Sequence, residues 1–470
     1  MERAGSPTSG DLRACIRCGF CLEVCPTYRE TNEEGLSARG RVVLLEALVE
    51  REARANPRLT EALDLCLLCG ACADACPANV PYNDLLIRAR THLPGAHGDG
   101  RRERAALKWL RVVFERPRLL RQVLGFVRWS ARTGLAGAAV KLCSSPEHRE
   151  HYLDLVASLR ASRPTRAPAA GKTRAIANPH PEAALRRSIA TAEALAIPQP
   201  VAIFRGCVTP VFFPQVLGAL ESLLRGAQIE FQYPPKQGCC GSLHMHFGDL
   251  EGARDLARRT IDVFDASGEG IVLAESSGCA AALKSYRDLL AADPDYAARA
   301  ERFSARVRDA AEVLWMLRCA GRNEGDGRGV RAGRDAPEAR GHEPEAHEAG
   351  ATRSSSNERV VLQDPCHLRH RQGIVHHPRE VLDSVSGIER VQAPEADLCC
   401  GAAGIYNLLQ PAMSARLGER KAEILAATGA RIVVTADPGC RIQLAGRLAR
   451  RGIEVRHLAE MCEAEDRPRA

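Results

Sequence analysis

The chain has 470 residues, is 45% hydrophobic and 26% charged, and carries a formal net charge of +7 at pH 7, a globular composition with room for roughly three domains. Cysteine stands out at 19 residues; the number is odd and, at this length, too dilute for a disulfide scaffold, so it points to metal or redox chemistry in a reducing compartment. Aromatic residues make up only 4%, which argues against base-stacking platforms and a nucleic-acid partner. The N-terminus lacks the apolar core of a signal peptide, and no apolar run reaches the length of a membrane span. The expected location is the cytoplasm, with membrane contact only from the cytoplasmic face.

The first elements are two cysteine runs. Cys15, Cys18, Cys21 and Cys25 precede Pro26, and Cys66, Cys69, Cys72 and Cys76 precede Pro77. Both read C-x2-C-x2-C-x3-C-P, the spacing of the bacterial ferredoxin [4Fe–4S] run. Three thiolates at three-residue intervals let one tight loop wrap three corners of a cube. Gly19 and Gly70 permit the backbone angles that wrapping needs, and the proline turns the chain away. Because the fourth cysteine of such a run ligates the other cluster, Cys15, Cys18, Cys21 and Cys76 are assigned to one cluster and Cys66, Cys69, Cys72 and Cys25 to the other. Zinc favours separated C-x2-C pairs and fits this spacing poorly. Between the runs, residues 38–57 show helical apolar spacing and stop before Pro57. An insert of this size predicts a mostly α-helical ferredoxin domain over residues 1–98.

Residues 99–198 follow as a basic helical region and linker. Within them, residues 101–132 hold ten Lys/Arg and two Glu, with Leu107, Leu110, Val113 and Phe114 on one helical face and Trp109 and Trp129 nearby. A basic amphipathic helix of this kind serves as a membrane-surface or partner-docking element, or as a solvated helix with its apolar face on a core. Gly171-Lys172-Thr173 is no P-loop, since Arg166 stands where the first glycine belongs. Residues 320–358 contain almost no large apolar residue and are expected to be a disordered linker; Gly325, Gly327 and Gly329 within them form no dinucleotide fingerprint.

The segments 199–319 and 359–470 are internal repeats. Each opens with a β-branched run (201–204, 360–363) and a cysteine, Cys207 or Cys366. Next comes a Cys-Cys-Gly triplet, Cys239-Cys240-Gly241 or Cys399-Cys400-Gly401. A second strand-like run (271–274, 431–436) leads to Cys279 or Cys440. Equivalent cysteines lie 159, 160 and 161 positions apart. Alternating strand and helix patterns predict a small α/β unit with a mostly parallel sheet, whose strand ends would gather the cysteines at one edge. Four thiols per repeat could hold an iron–sulfur centre, act as redox thiols near a quinone, or remain as structural remnants. His244, His246 and His367 lie beside these motifs as core residues or proton relays. Cys143, Cys319 and Cys462, which have no partners at useful spacing, are expected to be small buried hydrophobes.

The repeats resemble the cysteine-rich domains of heterodisulfide reductase and related subunits. That family often ends each repeat with C-x-x-C; here Cys279 is followed by Ala280 to Ala282, and Cys440 by Arg441, Ile442 and Gln443, so the fifth thiolate is absent twice. The strings RACIRCGFCLEVCPTYRE, ARGR, LDLCLLCGACADACP, ESSGC and LCCGAAGIYNL, with the order of the motifs, resemble the iron–sulfur subunits of bacterial glycolate oxidase over most of 12–93 and 199–462. The resemblance implies an electron-transfer subunit with no substrate-binding catalytic residues of its own. It implies two [4Fe–4S] clusters, a partner flavin subunit oxidising glycolate to glyoxylate, and a quinone-type acceptor. No flavin or nicotinamide signature occurs on this chain. Lactate-utilisation and anaerobic glycerol-3-phosphate dehydrogenase subunits share the domain order, and a heterodisulfide or thiol reductase subunit is the alternative within redox chemistry.

Overall fold

The computed structural model describes residues 7–50, 56–92, 109, 112–114, 116–160, 197–318 and 357–466. The expectations placed on 161–196 and 320–356, together with Cys319, Leu107 and Leu110, lie outside the described residues.

The N-terminal unit is helical. Ser37 caps α1 (Ala38–Val49) by accepting from the Gly40 amide, and Asn56 with Pro57 at the first position starts α2 (Pro57–Asp64). These helices and α3 (Tyr82–His92) surround a core built from Leu12, Val42, Leu45, Leu63, Leu85 and Leu86.

Three helices follow: α4 (Pro117–Thr133), α5 (Leu135–Cys143) and α6 (Pro146–Arg160). The sequence pattern read 101–132 as one amphipathic element. The structure begins a new helix at Pro117, because a proline lacks the amide that would continue the preceding turn. Helix α6 packs along the last long helix of the chain: the Gly446 amide donates to Ser158 Oγ at 2.7 Å. Arg128 of α4 reaches the Val211 carbonyl of the first repeat. This helical layer therefore bridges both repeats.

The first repeat contains β1 (Val201–Phe204), α7 (Pro214–Gly226), β2 (Phe231–Gln232), α8 (Leu250–Asp265), β3 (Val272–Ala274), α9 (Ser277–Lys284), β4 (Val307–Asp309) and α10 (Ala310–Arg318). The second contains β5 (Glu358–Leu362), α11 (Cys366–Gln372), α12 (His376–Asp383), β6 (Ile388–Val391), α13 (Pro411–Ala427), β7 (Ile432–Thr435), α14 (Pro438–Ala449), β8 (Glu454–His457) and α15 (Leu458–Asp466). Both sheets are parallel, with the same strand order, β2-β1-β3-β4 and β6-β5-β7-β8. Each central strand is covered on both faces, so its run is continuously apolar. Val201 and Ile203 enter one core while Ala202 and Phe204 enter another. Val360 and Ile432 share the core of Ile203, so the two repeats are packed together through a common interior.

Two histidines sit inside this packing as neutral rings. His151 contacts the Asn407 carbonyl through Nε2 at 2.8 Å and faces Arg447 through Nδ1 at 2.7 Å. His457 faces the Glu275 carbonyl through Nε2 at 3.1 Å and accepts from the Ala459 amide through Nδ1. Burial pushes both down to about 4.

Two outcomes follow from this packing. A Cβ on Gly446 would lie 2.2 Å from the Asp154 carbonyl oxygen, so Gly446→Ala should destabilise the chain by roughly 1–3 kcal/mol in denaturant unfolding. Below about pH 6.5 the unfolded chain takes up protons at His151 and His457 that the folded chain refuses. Stability present above pH 6.5 should therefore fall as the pH drops toward 4, which urea midpoints measured across that range would register.

Candidate metal centre

The two N-terminal runs take the same backbone path. Arg17 and Leu68 stand at the same place in each run, with positive φ of 58° and 53°, and Gly19 and Gly70 follow at 90° and 89°. Two left-handed residues on either side of the second cysteine curl each loop tightly around its three cysteines. The short helices Phe20–Glu23 and Ala71–Asp74 then pack against each other, bringing the fourth cysteine of one run to the other.

Cys25 lines a small pocket together with Cys66, Cys69 and Cys72. This is the crossed set expected from the spacing. The donors around it suit an anionic centre. The Leu68 amide points at Cys66 Sγ at 3.4 Å and Tyr82 Oη lies 3.9 Å from the same sulfur, while Thr27 Oγ1, 3.3 Å from Cys25 Sγ, gives its own proton to the Leu36 carbonyl at 2.6 Å. Cys15, Cys21 and Cys76 pack beside the helical core while Cys18 faces solvent, so the other set is nearer the surface. Among the described residues no three His, Cys, Asp or Glu side chains close on a single ion; the fit to a cluster rests on the donor set, the paired loop geometry and the pocket.

Arg41 was missed by the sequence reading. It is 1% exposed; its guanidinium donates to the Ala62 carbonyl at 2.5 Å and Thr27 Oγ1 at 3.1 Å, and lies 4.0 Å from Cys25 Sγ. Burial opposes its charge, yet Tyr82, Cys66 and Cys25 together raise its pKa. A buried cation with anionic neighbours is a built-in counter-charge. The ARGR string held the only signal, an arginine one helical turn from Ala38 on an apolar face.

The eight repeat cysteines meet. Cys207, Cys239, Cys240 and Cys279 of the first repeat and Cys366, Cys399, Cys400 and Cys440 of the second all line one cavity of about 390 Å³. Cys240 and Cys279 sulfurs are 3.5 Å apart, and their counterparts Cys400 and Cys440 are 3.3 Å apart. Hydrogen bonds within each set, followed by burial, push Cys239, Cys240, Cys279, Cys399 and Cys440 above the ordinary thiol value. Cys400 is instead held low by Cys399 and Cys440. Metal ligation removes such protons outright, so the site suits a metal better than a free thiolate.

Two acidic residues of this wall were also missed. Asp437 Oδ2 accepts from the Gly278 amide and Ser276 Oγ, both at 2.9 Å, while Oδ1 accepts from the Gly439 and Cys440 amides at 2.8 and 3.3 Å. Asp437 thus caps α14 and also takes the first-turn Gly278 amide of α9, whose own cap is Ser276; these helices carry Cys440 and Cys279. Glu275 is buried, lines the cavity and leaves Oε2 without a hydrogen-bond partner; burial raises its pKa. Of the histidines, His246 and His367 line the cavity with ring centres 5.4 Å apart, and His244 is buried in the core. Cys462 is buried as expected, but Cys143 is exposed at the end of α5. The neighbouring Leu142 is also exposed, because α5 buries only Gly137 and offers Cys143 no core.

The N-terminal unit docks on the second repeat at its thiols. Cys69 and Cys399 share one apolar cluster with Cys366 packed against it, Tyr406 Oη reaches the Leu65 carbonyl at 3.2 Å, and His370 Nδ1 lies 2.9 Å from Asp74. Arg90 ties the other side, donating to the His246, Leu63 and Cys66 carbonyls at 2.7, 2.6 and 2.9 Å. Leu67 lines both the Cys25 pocket and the eight-cysteine cavity.

A paired-loop cluster unit joined to two cysteine-lined α/β repeats defines an iron–sulfur electron-transfer protein. Comparison with protein families agrees: a 4Fe-4S dicluster domain matches residues 11–80, and a cysteine-rich domain matches 201–284 and 360–445. The chain is 31% identical to a probable glycolate oxidase iron-sulfur subunit of Bacillus subtilis (strain 168), over 96% of this chain and 93% of that protein. It is 28% identical to the glycolate oxidase iron-sulfur subunit of Escherichia coli (strain K12) with the same coverage. Lactate utilization protein A of Shouchella clausii matches 57% of this chain at 27% identity. The chain belongs to the family of glycolate oxidase iron–sulfur subunits.

Replacing Arg41 by methionine keeps the volume and removes the charge. Arg41→Met should lower the midpoint potential of one centre by on the order of 60 mV, a tenfold change in a one-electron equilibrium, with iron content retained. Redox titration followed by EPR would measure it; an unchanged potential would mean that Arg41 serves packing alone.

Proposed function

We propose that this chain is the electron-transfer subunit of a flavin-dependent glycolate oxidase complex. In this reading a partner flavin subunit oxidises glycolate to glyoxylate, and this chain carries the electrons towards a quinone-type acceptor. The supporting observation is Leu67, which lines both the pocket of Cys25, Cys66, Cys69 and Cys72 and the cavity of the eight repeat cysteines. Two donor sets that share a wall suit electron transfer. The names of the two full-length relatives support the choice of glycolate.

The residues proposed to hold two [4Fe–4S] clusters are Cys15, Cys18, Cys21 and Cys76 for one, and Cys66, Cys69, Cys72 and Cys25 for the other. Such clusters supply one-electron storage at potentials set by their surroundings. Cys207, Cys239, Cys240 and Cys279, with Cys366, Cys399, Cys400 and Cys440, are proposed as ligands of further iron–sulfur centres. The chain's own part is to bury these thiols, to place Arg41 as counter-charge, and to press Cys69 against the second repeat. The domain limits proposed from the sequence, 1–98, 199–319 and 359–470, enclose these three groups.

The proposed location is the cytoplasm, with peripheral contact to the inner face of the membrane through 101–132. No helix among the described residues is long and apolar enough to cross a membrane. Phe126 and Trp129 are 65% and 52% exposed on α4, which suits surface contact. Relatives named for lactate utilization support lactate as the second substrate to try.

Anaerobic iron and sulfide analysis tests the cofactor reading. About eight irons correspond to two cubanes, and about twelve to sixteen mean that the repeats also hold iron. Cys66→Ser should remove about four irons, whereas bound zinc without iron would overturn the electron-transfer reading. For the substrate, reconstitution with the flavin subunits should give reduction of these centres by glycolate. Reduction by lactate or glycerol 3-phosphate, with none by glycolate, would reassign the complex.

A further inference from the structure

A second cavity, of about 940 Å³, opens between the start of α4 and the first repeat. Arg116, Arg118 and Arg121 line one side, and Arg205, Lys236 and Arg259 line the other; among the described residues no Asp or Glu lines it. Among the described residues none of these six side chains forms an ion pair. The contrast with neighbouring arginines is plain: Arg258 pairs with Asp293 at 2.8 Å, and Arg299 with Asp262 at 2.7 Å. The first turn of α4 adds no acidic residue and no side-chain cap, so the helix end contributes positive potential of the same sign.

Like charges gathered around a concave site repel one another, and the site concentrates anions. Arg205 registers this. It stacks over the Tyr233 ring at 5.3 Å, and burial, with Arg121 nearby, lowers its pKa. A cavity of this size is ligand-sized. Arginine forks match phosphate and carboxylate oxygens two at a time. Six cations with no acidic partner among the described residues suit the several oxygens of a phosphate-type oxyanion.

We propose that this groove is a binding site for a ligand bearing a phosphate-type oxyanion, clasped between the first turn of α4 and the Arg205, Lys236 and Arg259 side of the first repeat. Its wall includes Cys239, which also lines the eight-cysteine cavity, so the bound anion lies across that cysteine from the redox site.

The test uses the full chain, purified anaerobically with its iron. Titration with inorganic pyrophosphate at constant ionic strength should show saturable binding. Arg121 and Arg259 are both exposed and lie on different elements, so the R121E/R259E variant should fold and keep its iron while binding at least about tenfold more weakly. If that variant fails to fold, R121Q/R259Q is read in its place. A parallel arm sediments the chain with phosphatidylglycerol or phosphatidylcholine vesicles. Retention on phosphatidylglycerol alone, lost in the variant, supports the proposal with a lipid headgroup as the source. Pyrophosphate binding without vesicle retention supports it with a soluble ligand. Absence of both, or equal binding by the variant, overturns it. A variant defect confined to association with the flavin subunits also overturns it, in favour of an acidic protein surface.

Discussion

One carboxylate holds the centre of this molecule. Asp437 binds the first turns of two helices at once, with one oxygen on the Gly278 amide and Ser276 of the first repeat and the other on the amides of Gly439 and Cys440 of the second. A helix cap contributes about 1 kcal/mol, but here the geometry matters more than the energy. Cys279 and Cys440 stand in the first turns of α9 and α14, so the shared carboxylate positions two thiols that line one cavity. The Ser277 amide donates to the Ala436 carbonyl at 3.1 Å and locks the two strand ends together. The shared apolar core holds the repeats together, and this junction fixes the register of the two strand ends that carry the thiols.

The second constraint is charge. Burying several thiolates near one another is unfavourable unless cations or metal offset them. Arg41 lies inside the N-terminal unit beside Cys25, and buried Lys421 is held by the Glu395 and Ala396 carbonyls, both at 2.7 Å, near Cys400. Each redox pocket thus has its own internal cation. The six cations of the outer groove line an open surface and form no ion pair among the described residues, which separates them from the two buried counter-charges.

Much of the site was legible because its chemistry depends on spacing. The two ferredoxin runs, their crossed ligand assignment and the triplet repeats all rest on local distance along the chain, and the structure brings Cys25 to Cys66, Cys69 and Cys72. The strands at 201–204 and 360–363 were legible as continuous apolar runs, and the structure starts the second at Glu358. The edge strands β2, β4, β6 and β8 were not, since two to four residues with mixed burial carry little periodicity. Asp437 escaped notice because nothing in its local string distinguishes a cap for one helix from a cap that also reaches a second. Cys143 was misjudged because burial is a property of neighbours, and α5 rests on α4 and α6 through Gly137 and leaves its C-terminal end outside.

The sequence by itself determined the ligand types, the duplication and the ferredoxin-like loops, because short-range thiol spacing and glycine conformation act within a few residues. Tertiary structure alone decided that both repeats face a single cavity, that Cys69 lies against the second repeat, and that one arginine is buried at a cluster pocket while five arginines and a lysine line an open groove. Those outcomes depend on packing between segments tens to hundreds of residues apart. At that range, contact is set by which apolar faces must leave water together, and the order of residues along the chain does not reveal it.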